Sequence, residues 1–307
     1  MDVVILGRIG YDLYSEELGV PLAEARVFSR YLGGSSANMA VGLARLGARV
    51  GMIACLGTDR LSDFLVGFLQ KEGVDTARVQ RREGVLPSLA LTEVSPPGSF
   101  PQVFYRQLAA DMQLRCSEED YAYAVRGRLF VSNGTSLCAS PSRESTYRAL
   151  ERAKEAGCRV VLDVDYRAMS WASAEEAGLA VRLALPLVDV LIGNQTELML
   201  TAGVSDLDEA VRRLRRVPLL VSKLGDEGTR VFGEGEPVFL PPYAVQVCTT
   251  IGAGDGFASG FLYGLLQGFP VERCLHYGNA AAAIVVSRLS CSEAMPSLEE
   301  VERMMER

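Results

Sequence analysis

Short apolar runs and amphipathic helical patterns alternate through most of the chain, and that order leaves few folds open. A short run that is apolar at every position belongs to a strand covered on both faces, and parallel strands need long crossovers, usually helices. The spacing predicts strands over 3–6, 49–54, 129–131, 159–162, 188–192 and 219–222. Between them it predicts helices over 37–46, 62–71, 142–156, 174–184, 196–202 and 206–215. The expected class is α/β, with a central mostly parallel sheet and helices on both faces.

Two stretches, 13–31 and 85–110, break the alternation. They hold β-like runs such as "ARVFSRYL", "LALTEV" and "QVFYRQL", joined by the turn-rich "SPPGSFP", with no helical pattern. Paired as a small β-sheet, they would form a lid over a cleft in an α/β core of 1–12, 32–84 and 111–307. Edge hairpins with no such duty are the plainer alternative.

Composition narrows the partners. With 307 residues and 49% hydrophobic side chains, the chain can bury a large core. A net charge of -7 argues against a broad nucleic-acid surface, which would need clustered Lys and Arg. The basic cluster Arg212, Arg213, Arg215 and Arg216 lies on a helical pattern and reads as a solvated face. Seven cysteines without a CxxC pair fit reduced thiols in a cytoplasmic protein. The single histidine, His276, sits in a helical stretch and reads as a packing residue, so His-rich metal sites are not expected. "MDVVILGRIG" lacks the basic start of a signal peptide, and no apolar run approaches the ~20 residues that span a bilayer, so no membrane partner is expected.

Two glycine-rich turns could carry chemistry. In "YLGGSSANMAVGLARLG", Gly33 and Gly34 precede a helix, which lets backbone approach a ligand and puts the Asn38 amide in the first turn. In "CTTIGAGDGF", Thr250 precedes Gly252, Ala253 and Gly254, and a helix is expected from about Asp255. Unsatisfied amides at such a helix start favour a phosphate. Asp255 beside that phosphate could take a proton from an attacking hydroxyl, or it could merely cap the helix. Neither GxxxxGK[ST] nor GxGxxG is present, which disfavours P-loop enzymes and Rossmann dehydrogenases.

"GGSSANMA" and "TTIGAGDGF", in this order and this far apart, resemble the two signatures of the ribokinase, or PfkB-type, carbohydrate kinases. The resemblance runs over essentially the whole chain and includes "GRIGYD", "GNQTE" and "SKLGDEG". It implies a ribokinase-like fold with a β lid, a cytoplasmic enzyme that uses ATP and Mg2+, and a homodimer formed through the lid. It also implies that Asp12, Gly33, Gly34 and Asn38 contact sugar, that Asp255 is the base, and that Gly252, Ala253 and Gly254 form an anion hole. By the same resemblance Asn194 and Glu197 stand near Mg2+ through water. Lys223, Gly225, Gly228, Thr250 and Asn279 then belong to the nucleotide, although Asn279 reads nearly as well as a polar residue in a packed helix.

Arg106 and Arg167 suggest an acidic sugar, because arginine forks bind carboxylates. "FSRYLGGSSANMAVG", "SPSRES", "DVDYRAMSW" and "SEAMPSLEEVE" resemble the branch of the family that phosphorylates the C6 hydroxyl of 5-dehydro-2-deoxy-D-gluconate in myo-inositol breakdown. Kinases of 2-keto-3-deoxygluconate share the "DxxYR" region, fructokinases stand further off, and a non-catalytic nucleotide or sugar sensor is the reading of another class. Many members carry Asp at the place of Cys248, in a monovalent-cation site. A neutral thiol ligates K+ poorly, so turnover is expected to change little when K+ replaces Na+; a large increase would overturn this.

Overall fold

The computed structural model describes residues 1–95 and 100–306, so most of the turn read at "SPPGSFP" lies outside the described residues. In chain order the strands are β1 Val3–Leu6, β2 Gly10–Ser15, β3 Phe28–Gly33, β4 Val50–Gly57, β5 Asp75–Arg82, β6 Ser88–Thr92 and β7 Gln102–Tyr105. They continue with β8 Leu129–Asn133, β9 Arg159–Asp163, β10 Val190–Asn194, β11 Leu219–Lys223, β12 Thr229–Phe232 and β13 Val238–Leu240. Nine of them form one sheet in the order β13-β12-β11-β10-β9-β8-β1-β4-β5. Seven of the nine run parallel, and β12 and β13 complete one edge antiparallel.

The centre of this sheet is apolar on both faces. Val3 and Ile5 of β1 pack into one core with helices Ser35–Arg45, Ala253–Leu266 and Val271–Val286. Val4 and Leu6 pack into the other with helices Ser142–Glu155 and Ala174–Ala184. All four side chains are fully buried, and each such burial is worth roughly 1.5–3 kcal/mol.

Several strands end later than their apolar runs. The ladder continues through Asn133 paired with Asp163 and Asn194 paired with Lys223. Backbone pairing does not require apolar side chains, so these polar residues extend the strands and stand at their C-terminal ends, where open α/β sheets bind ligands. β5, "DTARVQRR", went unread because an edge strand tolerates charges that hide its period.

The remaining four strands form a separate sheet in the order β3-β2-β6-β7. β2 pairs antiparallel with β3 without a break from Gly10 and Gly33 to Ser15 and Phe28, and parallel with β6. This continuous ladder draws Asp12 into the small sheet, although the sequence places it at the end of the core segment. No helix among the described residues is long and apolar enough to cross a membrane.

Helix Ala253–Leu266 lies against Val271–Val286 at near-backbone distance. A Cβ on Gly260 would fall 2.2 Å from the Tyr277 carbonyl oxygen, and one on Gly264 would fall 2.9 Å from the Cys274 Cα. Gly260→Ala is therefore expected to destabilise the protein by about 1–3 kcal/mol. An unshifted midpoint in urea unfolding would contradict that packing.

Candidate active site

Helix Ala253–Leu266 opens at Gly252, whose φ of 86° is left-handed, and no side chain caps it. The left-handed turn brings the chain into the helix at Ala253, two residues before the expected start. Asp255 is therefore in the first turn and is not the cap. Its carboxylate instead meets the other signature, with Asn38 Nδ2 donating to Asp255 Oδ2 at 2.8 Å. Of the first-turn amides, that of Ala253 makes a long bond of 3.4 Å to the Thr250 carbonyl; the others, at the positive end of the helix dipole, are left for an anion. Lys223 adds charge there, since a Cβ on Gly254 would fall 3.3 Å from its Nζ.

At the start of helix Ser35–Arg45, Gly34 has a φ of 93°, and a Cβ there would lie 2.6 Å from the Arg8 carbonyl oxygen. A Cβ on Gly33 would lie 2.1 Å from Asp12 Oδ1. The two glycines thus let the turn close against Arg8 and Asp12. Asn38 commits its Nδ2 to Asp255, while its buried Oδ1 has no partner among the described residues.

Burial controls the two carboxylates that face this cleft. It raises Asp255 to about 6, with Asp165 adding to the shift and Asn38, Arg167 and Lys223 opposing it. It also raises Asp12 to about 6, opposed by Arg8 and Arg167 and reinforced by Asp255. A carboxylate titrating near 6 is ionised at neutral pH and more basic than an ordinary one, which suits proton abstraction.

Sequence reasoning passed over a polar network beneath them. Asp165, with a φ of 36°, is buried and receives hydrogen bonds from the Ser35 and Thr135 hydroxyls, at 2.5 and 3.3 Å. Arg167 Nη2 lies 3.0 Å from Asp165 Oδ1. Burial works to raise the Asp165 carboxyl, but Arg167, Ser35, Arg8 and Lys223 outweigh it and hold it below the ordinary value. "DVDYR" contained a signal for Asp165, namely a second aspartate just beyond a strand end. Arg106 is also spoken for, its Nε and Nη2 donating to Asp111 Oδ2 at 3.0 and 2.6 Å and its Nη1 to the Ser170 hydroxyl at 2.8 Å.

On the far side of Gly254 opens a cavity of about 550 Å³. Lys223, Gly225, Gly228, Thr250 and Asn279 all line it, so five of the residues expected at the cofactor come together, while Asn194, the sixth, is not part of the lining. Lys223 Nζ sits 3.3 Å from both Asp163 oxygens. Asn279 is tied into the scaffold, accepting from the Thr229 hydroxyl at 2.9 Å and donating to the Leu240 and Pro241 carbonyls. Its amide thus serves the packing reading, and only its position borders the cavity. His276 packs against Tyr243, with Nδ1 2.7 Å from the phenol oxygen. A separate groove of about 810 Å³ runs beside Cys248, Arg288 and Glu300 and includes none of the expected site residues.

Asn194 and Glu197 form a capping box on helix Gln195–Ala202, with the Glu197 N–H donating to Asn194 Oδ1 at 2.9 Å and the Asn194 N–H to Glu197 Oε2 at 2.7 Å. Glu197 Oε1 accepts from the Tyr166 N–H at 3.0 Å.

The model of the pfkB family carbohydrate kinases matches residues 1–298. The chain is 38% identical to a 5-dehydro-2-deoxygluconokinase of Shouchella clausii, over 99% of this chain and 95% of that protein. It is 36% identical to a 5-dehydro-2-deoxygluconokinase of Clostridium tetani, over 99% and 93%. A fructokinase from Xylella fastidiosa, solved with bound ATP, superposes with a TM-score of 0.85 at 27% identity, covering 99% of this chain and 98% of that one. The chain belongs to the PfkB family of carbohydrate kinases.

As a carbohydrate kinase it transfers a phosphoryl group to a hydroxyl group of a sugar. With Asp255 taken as the base, as the family resemblance implies, a pH dependence is expected. A base must be unprotonated to accept a proton, so kcat/KM is expected to fall as the pH drops through about 6, where Asp255 and Asp12 both titrate. A limb centred near ~4, the ordinary carboxylate value, would contradict the burial argument.

Proposed function

We propose that this kinase transfers the γ-phosphoryl group of ATP to the C6 hydroxyl of 5-dehydro-2-deoxy-D-gluconate. The observation that carries the mechanism is the junction of the two signatures, where Asp255, held by Asn38 at 2.8 Å, stands in the first turn of an uncapped helix. The acceptor hydroxyl lies between Asp12 and Asp255. Asp255 takes its proton as the oxygen attacks in line, and the amides of Gly252, Ala253 and Gly254 stabilise charge on the transferring phosphoryl group. The acidic sugar rests on the full-length likeness to the two 5-dehydro-2-deoxygluconokinases and on the arginines grouped at the cleft.

ATP occupies the cavity bounded by Lys223, Gly225, Gly228 and Thr250. Among the described residues no group of three or more His, Cys, Asp or Glu side chains is arranged to hold a metal. An Mg2+ carried on ATP phosphates needs no such cage, because it keeps most of its water. Asn194 and the buried Glu197 fit that mode, holding the ion through water, and the ion's role is to neutralise phosphate charge. Seven free thiols support a cytoplasmic setting. The exposed Val103 and Tyr105 on β7 support pairing of two lids in a homodimer.

Asp255→Asn is expected to lower kcat by at least ~100-fold with little change in ATP affinity; near wild-type turnover would remove the base assignment. ADP release should be fastest with 5-dehydro-2-deoxygluconate in a panel that includes 2-keto-3-deoxygluconate, fructose and ribose. Faster turnover of any other acceptor would reassign the substrate.

A further inference from the structure

Three arginines stand around the Gly33 turn, Asp165 and Asp111, and two are neutralised by the protein. Arg106 pairs with Asp111 at 2.6 Å, and Arg167 with Asp165 at 3.0 Å. Arg8 is 94% buried by the complement of its 6% exposure, yet among the described residues it has no carboxylate within 4.0 Å. Its Nη1 donates to the Ser88 hydroxyl of the small sheet at 3.3 Å, and its buried Nε has no partner among the described residues. The ring of Phe104, on lid strand β7, has its centroid 6.0 Å from the guanidinium carbon.

A desolvated guanidinium with an unpartnered N–H is costly unless something anionic completes it. Burial and the nearby charge of Arg106 both work to lower its pKa, while Asp111 and Asp12 oppose them at longer range. The Gly33 turn joins these groups: a Cβ on Gly10 would fall 2.9 Å from Arg8 Nη1 and 3.5 Å from the Gly33 carbonyl carbon, a Cβ on Gly33 would fall 2.1 Å from Asp12 Oδ1, and Asn38 of the helix that follows holds Asp255. A molecule lying along Asp12 with one end at Asp255 can extend toward Arg8.

We propose that Arg8 is the specificity-determining residue that seats the substrate carboxylate, with Arg106 behind it as a positively charged backing fixed by Asp111. This rests on the reading of the enzyme as a sugar-acid kinase, and it moves direct recognition of the carboxylate from Arg106 and Arg167 to a residue between β1 and the lid. The unpartnered Nε–H and the Nη groups supply the fork that a carboxylate fits. Because Ser88 and Phe104 belong to the lid, carboxylate recognition and lid position meet at the same side chain.

The test compares wild type, R8Q and R8K on 5-dehydro-2-deoxygluconate and on its C1 amide, with the KM for ATP measured in parallel. Wild type should prefer the acid. R8Q should raise the acid KM by at least ~30-fold, as expected when a buried charge pair loses one partner, and leave the amide and ATP values near wild type. R8K, which keeps the charge but not the fork, should lose most of the preference. Should R8Q fail to bind ATP and so prove misfolded, R8K carries the comparison. An unchanged acid KM in a variant that binds ATP, or equal losses on acid and amide, would overturn the role of Arg8 and leave the sugar-acid reading standing. A wild type that phosphorylates neutral sugars and no sugar acid would overturn both.

Discussion

One hydrogen bond, from Asn38 to Asp255, joins turns that lie 217 positions apart in the chain. Each turn could form alone, since Gly34 and Gly252 carry their own left-handed conformations. What neither can do alone is place a carboxylate. The helix starting at Ala253 presents Asp255 in its first turn, and the helix starting at Ser35 brings the amide that orients it. Their common footing is the sheet, whose buried strands β1 and β4 pack against both helices through one continuous core.

The site crowds ionisable groups into a dry cleft, and the magnitudes decide how they behave. Two unit charges 4 Å apart interact by about 4 kcal/mol at an effective dielectric of 20, while desolvation of a buried ion costs several kcal/mol. Pairing wins for Asp165, which has Arg167 at 3.0 Å and hydroxyl donors beside it. Burial wins for Asp255, which has one amide donor and more distant cations. The same cleft thus holds one carboxylate firmly ionised and another poised near neutrality.

Much of this was legible in the sequence. Six core strands, the helices between them and the small second sheet were marked by apolar period and by its interruption. The uncapped turn at Gly252 was marked by glycine placement, and the family resemblance picked out Lys223, Gly225, Gly228, Thr250 and Asn279, which line one cavity. What escaped depends on tertiary packing. Arg8 follows an apolar strand and looks like a surface residue until the lid buries it against Ser88. Asp165 looks like a loop aspartate until Ser35 and Thr135, from two other segments, close on it. Asn279 combines both readings the sequence left open, since its amide bonds inside the scaffold while its position borders the cavity.

The strand β3 ends at Gly33, and the helix carrying Asn38 begins at Ser35, so a single residue separates the small sheet from the element that holds Asp255. A connection this short transmits torque. Any swing of the sheet must be taken up at Gly34, where the packed Arg8 carbonyl leaves little play, or passed on to the helix. Movement of the small sheet and the position of Asn38 against Asp255 are then one mechanical event, and a substitution on the sheet's outer surface can reach that contact from a distance.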